Sequence, residues 1–349
     1  MTYAADVSAG SAALEARAAR RFHWAMAGFA LLIAAGAFAA LILGRYGMSP
    51  ADALSALLPA DASGASKTVR SIVWNVRLPR IALAILAGAG LAVSGAAFQA
   101  LFSNPLASPD TLGIATGASF GAVLGILFGA GSLGIQLLSL ASGLAAVLLV
   151  LAVSRVRGES SILMIILSGM VVGALFTALV SLVKFVADPQ DVLPSITFWL
   201  MGALSGATKE SLAAGTPMAA AGFLILWLLR WRLNAAALPP DEAASLGIPV
   251  RRLRAAVILA ATMTTASVVS MCGLIGWVGL LVPHAARMLF GANNRFVVPA
   301  SALLGALFML AVDTAARTAP QGEIPVSILT AVVGAPFFIW LMRRSGGLK

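Results

Sequence analysis

RLPRIALAILAGAGLAVSGAAFQALFSNPLASPDTLGIATGASFGAVLGI, residues 77–126, is the stretch that decides the fold of this chain. It opens with two arginines, continues as a long apolar segment rich in Gly, Ala and Ser, and breaks at Asn104-Pro105 and Pro109-Asp110. A second apolar segment of small residues follows. In a bilayer, arginines can lie at the membrane edge, small residues let helices approach closely, and a proline-rich break can lie where water solvates it. The stretch therefore predicts two membrane helices joined by a break.

The composition extends this prediction to the whole chain. Of 349 residues, 60% are hydrophobic and only 10% are charged, whereas an ordinary globular domain has about 25% charged residues. A bilayer core about 30 Å thick is crossed by roughly 20 apolar residues in a helix, and such runs recur along the sequence. We expect an all-α, polytopic integral membrane protein with a single membrane domain.

The apolar runs divide the chain into about ten candidate spans. They are 23–44, 79–102, 112–129, 133–153, 162–186, 212–231, 255–276, 278–290, 298–316 and 325–342. The first run is too long for the core of a signal peptide, so it is predicted to remain as a helix after a cytoplasmic tail at 1–22. The membrane domain is then 23–349.

The basic residues set the predicted orientation. Most of the 23 Lys and Arg residues fall on the side of the N-terminus when the spans alternate, which predicts cytoplasmic N- and C-termini. The same clustering in short connectors explains the net charge of +10 without nucleic acid. The longest internal polar connector is 233–254. There a Pro-Pro pair can start a short helix, Asp241 and Glu242 suit its first turn, and Gly247 can end it.

Several kinds of catalytic and energy-coupling site are absent from the sequence. It contains no GxxxxGK[ST] phosphate loop, no HExxH and no CxxC, and its single cysteine, Cys272, lies in an apolar run. Ion-driven transporters usually carry acidic residues at mid-membrane. The one candidate, Asp313, precedes Arg317 by four residues, which favours a local ion pair. We therefore predict no catalytic or metal site and expect transport energy to come from a partner protein.

The ordered motifs of the chain resemble one family, the FecCD permeases of ATP-binding-cassette (ABC) importers for iron-siderophores, haem and cobalamin. The resemblance runs from about Val73 to Arg343. It rests on RLPR (77–80), SGAAFQALFSNPLASPDTLGIATGASFGA (94–122), DEAASLGI (241–248), GLIGWVGLLVPHAARMLFG (273–291), PASALLGALFMLAVDTAAR (299–317) and EIPVSILTAVVGAPFFIWL (323–341). Trp277 departs from the family pattern, where Phe is more usual.

The resemblance implies the type II ABC importer permease fold, with ten helices per subunit and a path along the axis of a homodimer or of a heterodimer with a close paralogue. Two cytoplasmic ABC ATPase subunits, which bind ATP and Mg, would dock on one side, and a periplasmic substrate-binding protein on the other. This chain would bind no cofactor and would lie in the bacterial inner membrane. Arg77, Arg80 and Arg317 match arginines that receive acidic side chains of the binding protein. Alternatively, the three arginines reach lipid headgroups as interfacial anchors.

The resemblance also assigns coupling and path residues. Within the 233–254 connector, the residues expected to lie in a groove of the ATPase are Asp241, Glu242, Ser245, Leu246 and Gly247. The residues expected to line the path and gate are Ser168, Gly169, Val172, Gly173, Asn104 and Pro105. The segment from Asn104 to Asp110 is expected at the cytoplasmic mouth of the path.

The cargo stays open at this stage. Ferric siderophore is the first expectation because it is the commonest cargo class of the family, and haem, cobalamin and molybdate are the alternatives. Two other functions are a secondary transporter or channel that works without ATP and a structural membrane scaffold. The first would transport without an ATPase, and the second would tolerate changes at the gate and coupling residues.

Overall fold

A computed structural model describes the chain apart from residues 1, 60–63, 156–161, 237, 239–241, 243–244, 246, 248, 320–321 and 345–349. The regular structure of the described residues is helical. In chain order the long helices and their short companions are α1 (Thr2–Ile42), α2 (Pro50–Leu57), α3 (Lys67–Ser71), a π-helix (Ile72–Arg77), α4 (Leu78–Leu101), a 3-10 helix (Pro109–Leu112), α5 (Ile114–Leu127), α6 (Ser132–Val153), α7 (Ile162–Val186), α8 (Val192–Leu200), α9 (Lys209–Leu229), α10 (Leu233–Ala236), α11 (Val250–Cys272), α12 (Val278–Phe290), α13 (Asn294–Thr318) and α14 (Val326–Arg344).

The all-α membrane fold predicted from the sequence is confirmed. Within the described chain, seven helices are long and apolar enough to cross a membrane, and α5, α12 and most of α14 form three shorter apolar helices. Each of the ten predicted spans overlaps one of these ten helices. The main difference is at the N-terminus, where α1 begins at Thr2 rather than near residue 23.

The centre of the bundle is α4, which packs against α11, α12 and α13. Its small residues allow this packing. A Cβ atom added to Gly88 would lie 2.0 Å from the carbonyl oxygen of Gly305 on α13, and one added to Gly95 would lie 1.8 Å from that of Gly279 on α12. Such distances leave no room for a side chain, so the helix backbones are in direct contact. This close packing explains why α4, which belongs to the stretch at residues 77–126, lies at the centre of the bundle.

The two ends of the bundle carry different groups. The end with Arg77, Arg80 and Arg317 is called here the arginine end, and the opposite end, with the 233–254 segment, is called the connector end. At the arginine end, α1 finishes beside the start of α4, and Lys209 at the start of α9 donates to Asn75 Oδ1 at 2.9 Å. At the connector end, Asn234 after α9 donates to Asn293, which precedes α13, at 2.9 Å.

Two connectors enter the interior of the bundle instead of remaining at its ends. The backbone around Ile114, where α5 begins, lies against Gly143, which is near the midpoint of α6. Likewise Gly279, at the start of α12, lies against Leu91 and Gly95 in the interior of α4. Residues 102–113 and 273–277 therefore return into the bundle before a half-length helix begins. We refer to these two stretches as the re-entrant segments.

Candidate functional site

Arg80 forms the most extensive charged contact at the arginine end. Its Nε donates to Asp313 Oδ1 at 2.9 Å, its Nη2 lies 2.9 Å from the same oxygen, and its Nη1 donates to Glu323 Oε1 at 2.8 Å. The guanidinium therefore joins α4 to α13 and to the segment before α14. Charge-assisted, two-pronged contacts of this kind fix geometry as well as charge.

Arg317 and Arg77 bind the end of α1. Arg317 donates to the carbonyl of Ala40, and Arg77 donates to the carbonyls of Leu41 and Ile42. These carbonyls belong to the last turn of α1, where no amide of the helix can reach them. Cations are also favourable at the negative end of a helix. The two arginines therefore cap α1 and attach it to α4 and α13.

The three arginines predicted to dock a binding protein are thus brought together, but their side chains point inward. Arg77 is 4% exposed, and Arg80 and Arg317 are each 7% exposed. The accessible carboxylate of the network is that of Glu323, whose side chain is 30% exposed. The local pair of Asp313 with Arg317 is confirmed at 3.8 Å, although Asp313 lies closer to Arg80. Sequence spacing could not reveal that partner, because it lies on another helix.

The α7 residues assigned to the path face the interior of their own subunit. Ser168, Gly169 and Val172 are buried and Gly173 is half-buried. A Cβ atom on Gly169 would lie 2.3 Å from the carbonyl oxygen of Thr111 in the 3-10 helix. This face of α7 therefore holds the first re-entrant segment in place. The opposite face of α7 is exposed, with Leu163, Leu167, Met170, Val171 and Leu175 on it.

Asn104 and Pro105 lie at the connector end, where α4 finishes. Asn104 is exposed and its Oδ1 accepts a hydrogen bond from the amide of Leu106 at 2.9 Å, which closes a local turn. The rest of the segment to Asp110 extends from this end into the bundle. Pro109 and Asp110 lie deeper, since Pro109 contacts Gly279 in the interior.

The two re-entrant segments meet at a cavity of about 230 Å³. Ser108 and Asp110 of the first segment and Gly276 and Trp277 of the second line it, together with Thr265 of α11. The sequence pointed to neither Asp110 nor Trp277 as part of a site. The available signals were an acidic residue between two small-residue runs and a tryptophan where the family pattern has phenylalanine.

The connector assigned to the ATPase groove is described in part. Glu242 and Ser245 are helical and exposed, and Ser245 Oγ donates to the carbonyl of Glu242 at 2.7 Å. Gly247 has φ of +70°, a left-handed conformation that commonly ends a helix. Asp241 and Leu246 lie outside the described residues. The helical state of Glu242 and Ser245 and the left-handed conformation of Gly247 agree with the pattern read from the sequence.

Comparison with known proteins gives a consistent result over most of the chain. The model of the FecCD transport family matches residues 31–344. The chain is 40% identical to the molybdate import system permease protein MolB of Haemophilus influenzae, over 91% of this chain and 96% of that protein. It is 41% identical to a probable iron chelatin transport system permease protein of Helicobacter pylori, over 79% of this chain and 84% of that protein.

A solved structure shares the fold as well as the sequence. It is described as a metal-chelate type ABC transporter in an inward-facing conformation, and it is 38% identical with a TM-score of 0.83. The match covers 91% of this chain and 98% of that one. The overall path of the backbone therefore belongs to a fold that occurs in a transporter.

Proposed function

The chain belongs to the FecCD transport family, and from this premise we propose that it carries a ferric siderophore from a periplasmic binding protein into the cytoplasm. In its coarser form the function follows from family membership, since the chain is an ABC importer permease for chelated metal, haem, cobalamin or molybdate. The proposal rests on the match between the FecCD family model and residues 31–344 of this chain. The choice of ferric siderophore as the cargo goes beyond this general function and belongs to the proposal.

Energy for transport would come from two cytoplasmic ATPase subunits that bind ATP and Mg. The sequence has no phosphate-binding loop of the Walker type, so hydrolysis is assigned to a partner. The exposed helical residues Glu242 and Ser245 and the left-handed Gly247 support a docking role for the connector end. Asp241 and Leu246 are assigned to the same contact. ATP-driven closure of the ATPases would push on this turn and tilt the bundle.

The binding protein would dock on the arginine end. Arg77, Arg80 and Arg317 are assigned as the residues that orient it, through bidentate pairs with acidic side chains. All three arginines are buried. An incoming carboxylate would therefore reach Arg80 by replacing Glu323, the partly exposed acid that accepts a hydrogen bond from Arg80 Nη1. This exchange conserves the number of ion pairs in the network, so docking would not leave a buried charge unpaired.

The transport path would lie between two copies of this chain, or between this chain and a close paralogue. The exposed faces of α7 and α14 are apolar, and in α14 they include Ile328, Val332, Val333 and Ile339. Such faces suit contact with lipid or with another subunit. Both termini are assigned to the cytoplasmic side of the bacterial inner membrane, in line with the distribution of Lys and Arg.

Reconstitution tests the function. The permease is placed in liposomes with its ATPase and with the binding protein encoded beside it, and uptake of iron-labelled siderophore, labelled haem, cobalamin and molybdate is compared. We expect ATP-dependent uptake of the ferric siderophore. Uptake of another cargo would overturn the cargo assignment alone. Uptake by the permease without any ATPase would support the secondary transporter instead and overturn the importer mechanism.

A further inference from the structure

Asp110 lies at a depth where a membrane protein seldom exposes a charge. Its neighbour Pro109 contacts Gly279, which in turn lies against Leu91 and Gly95. These two residues precede the end of α4 at Leu101 by six to ten positions, or about 9 to 15 Å at the helical rise of 1.5 Å per residue. The hydrocarbon core is about 30 Å thick. The carboxylate therefore lies within it rather than at its edge.

Asp110 is also exposed on the surface of the subunit. Its position is fixed between two helices, because the 3-10 helix packs on Gly169 of α7 and Trp277 packs on Gly334 of α14. Charged side chains at this depth face a water-filled cavity or a protein neighbour, since lipid cannot solvate them. The surface between α7 and α14 is therefore not covered by lipid at Asp110, and water or a second subunit must be present there.

Trp277, on the other side of the cavity, has a strained backbone. Its φ is +71° and its ψ is −35°, and the amide of Val278 donates to the carbonyl of Gly276 at 2.9 Å. This is a γ-turn of the rare type with positive φ at its centre. Non-glycine residues in such conformations cost about 1 to 3 kcal/mol and cluster at functional sites. This strained residue lines the same cavity as Asp110.

A third polar group in the cavity wall has no partner. Thr265 is 1% exposed, and its Oγ1 accepts or donates no hydrogen bond among the described residues. Buried hydroxyl groups are normally paired, so the unpaired hydroxyl of Thr265 is an unexplained polar group beside the cavity. Among the described residues that line the cavity, Asp110 is the only charged one. The wall therefore carries a net negative charge.

We propose that this cavity, lined by Asp110, Trp277 and Thr265, is a cation-binding site on the transport path. It takes a positively charged group of the passing cargo, such as a protonated amine arm of a metal chelate. A carboxylate and an indole face are two of the groups that bind organic cations. The volume of about 230 Å³ suits such a group rather than a whole chelate. The same charge disfavours oxyanions, so this inference rests on the proposed importer function and narrows its cargo.

Cysteine labelling in the assembled importer tests the site without knowledge of the cargo. Ser108→Cys, which lines the same cavity, is combined with Asp110, Asp110→Asn or Asp110→Glu. Its rates of modification are measured with a trimethylammonium-ethyl and a sulfonato-ethyl methanethiosulfonate, which differ in charge. The wild-type chain supplies the background, because its Cys272 is only 3% exposed.

We expect the cationic reagent to react faster in the Asp110 chain and the ratio of the two rates to fall about tenfold in Asp110→Asn. At about 6 Å in water the carboxylate attracts the cationic reagent and repels the anionic one, each by roughly threefold, and the two effects multiply in the ratio. Asp110→Glu should restore the ratio. A ratio that is the same in all three chains would overturn the cation site. Failure of both reagents to reach the thiol introduced by Ser108→Cys would overturn it as well. ATP-dependent uptake, measured on the same vesicles, reports separately on the importer function.

Discussion

At the scale of single residues, Asp313 shows how burial changes the contribution of a charged side chain to the stability of the protein. Its side chain is 1% exposed and pairs with Arg80 and Arg317, whereas Glu323 binds the same Arg80 with a side chain that is 30% exposed. Removing one partner of a buried pair leaves an uncompensated charge in a poorly solvated place. Water can replace the partly exposed partner. Loss of the charge of Asp313 should therefore destabilise the protein much more than loss of the charge of Glu323.

We predict that Asp313→Asn destabilises the protein by about 3 to 5 kcal/mol and that Glu323→Gln costs about 1 kcal/mol or less. Thermal unfolding in detergent, followed by intrinsic fluorescence, measures the difference. Asp191→Asn is the matched control, because Asp191 is exposed. Equal losses for Asp313 and Glu323 would contradict the account of the network.

The same Glu323→Gln variant reports on docking. If a carboxylate of the binding protein replaces Glu323 on Arg80, the neutral side chain competes less well and the binding protein should bind more tightly. Titration of ATPase stimulation against binding protein gives this affinity. An unchanged affinity would assign Arg80 to the stability of the bundle alone. Charge reversal of the three arginines is the weaker experiment, because their burial makes loss of folding the expected result.

At the scale of elements, the contacts of α4 depend on the absence of side chains. Gly95 has no space for even a methyl group against Gly279. Gly28, on the exposed face of α1, has nothing within 4 Å of the position of a Cβ atom. Both glycines lie inside helices, so the intrinsic helix propensity that alanine adds is the same at each. The comparison therefore isolates helix packing.

Gly95→Ala is expected to destabilise the bundle by about 1 to 3 kcal/mol or more, because α4 and α12 must move apart. Gly28→Ala should be neutral or slightly stabilising. Yield of monodisperse protein on size-exclusion chromatography and the unfolding temperature measure the effect. A stable, monodisperse Gly95→Ala protein would mean that α12 does not lie against α4 as described.

The connector between α10 and α11 is the second element with a specific expectation. Glu242 is exposed and belongs to the turn assigned to the ATPase. Glu242→Lys should lower transport per ATP hydrolysed at least several-fold, because the reversed charge weakens the contact with the groove. Glu242→Gln keeps the size of the side chain and should have a smaller effect. Uptake and hydrolysis measured on the same vesicles give the ratio, and coupled transport in Glu242→Lys would make the connector a simple loop.

At the scale of the whole molecule, the proposed orientation places the arginine end outside the cell. Ser66, which precedes α3 at the arginine end, and Ser245 at the connector end are on opposite sides of the bundle. The single native cysteine is buried, so a cysteine introduced at either position can be labelled selectively. The two positions thus distinguish the two possible orientations.

We predict that a membrane-impermeant maleimide labels Ser66→Cys in intact cells and labels Ser245→Cys only after the membrane is opened. The unmodified chain, with Cys272 buried, is the control for background labelling. Labelling of Ser245→Cys in intact cells would reverse the orientation. Such a result would also remove the ATPase assignment from the connector, since the proposed ATPase subunits lie on the cytoplasmic side.

The sequence by itself determined the fold class, the positions of the apolar helices and the family. Apolar runs of fixed length and stripes of Gly, Ala and Ser act over neighbouring residues, so they can be read without knowing which helices meet. The local pair of Asp313 with Arg317 was predicted for the same reason. The left-handed conformation of Gly247 is a further local feature that agrees with the sequence pattern.

Only the tertiary structure determined which residues of these helices and connectors come together in a site. Arg80 meets Asp313 and Glu323 from positions more than 200 residues away, and Asp110 and Trp277 come together where two connectors enter the bundle. Contacts of this kind arise when backbones pack at Gly88, Gly95 and Gly279, and no periodicity along the chain encodes them. Burial is decided in the same way, because whether an arginine faces solvent or a helix end depends on the other helices around it.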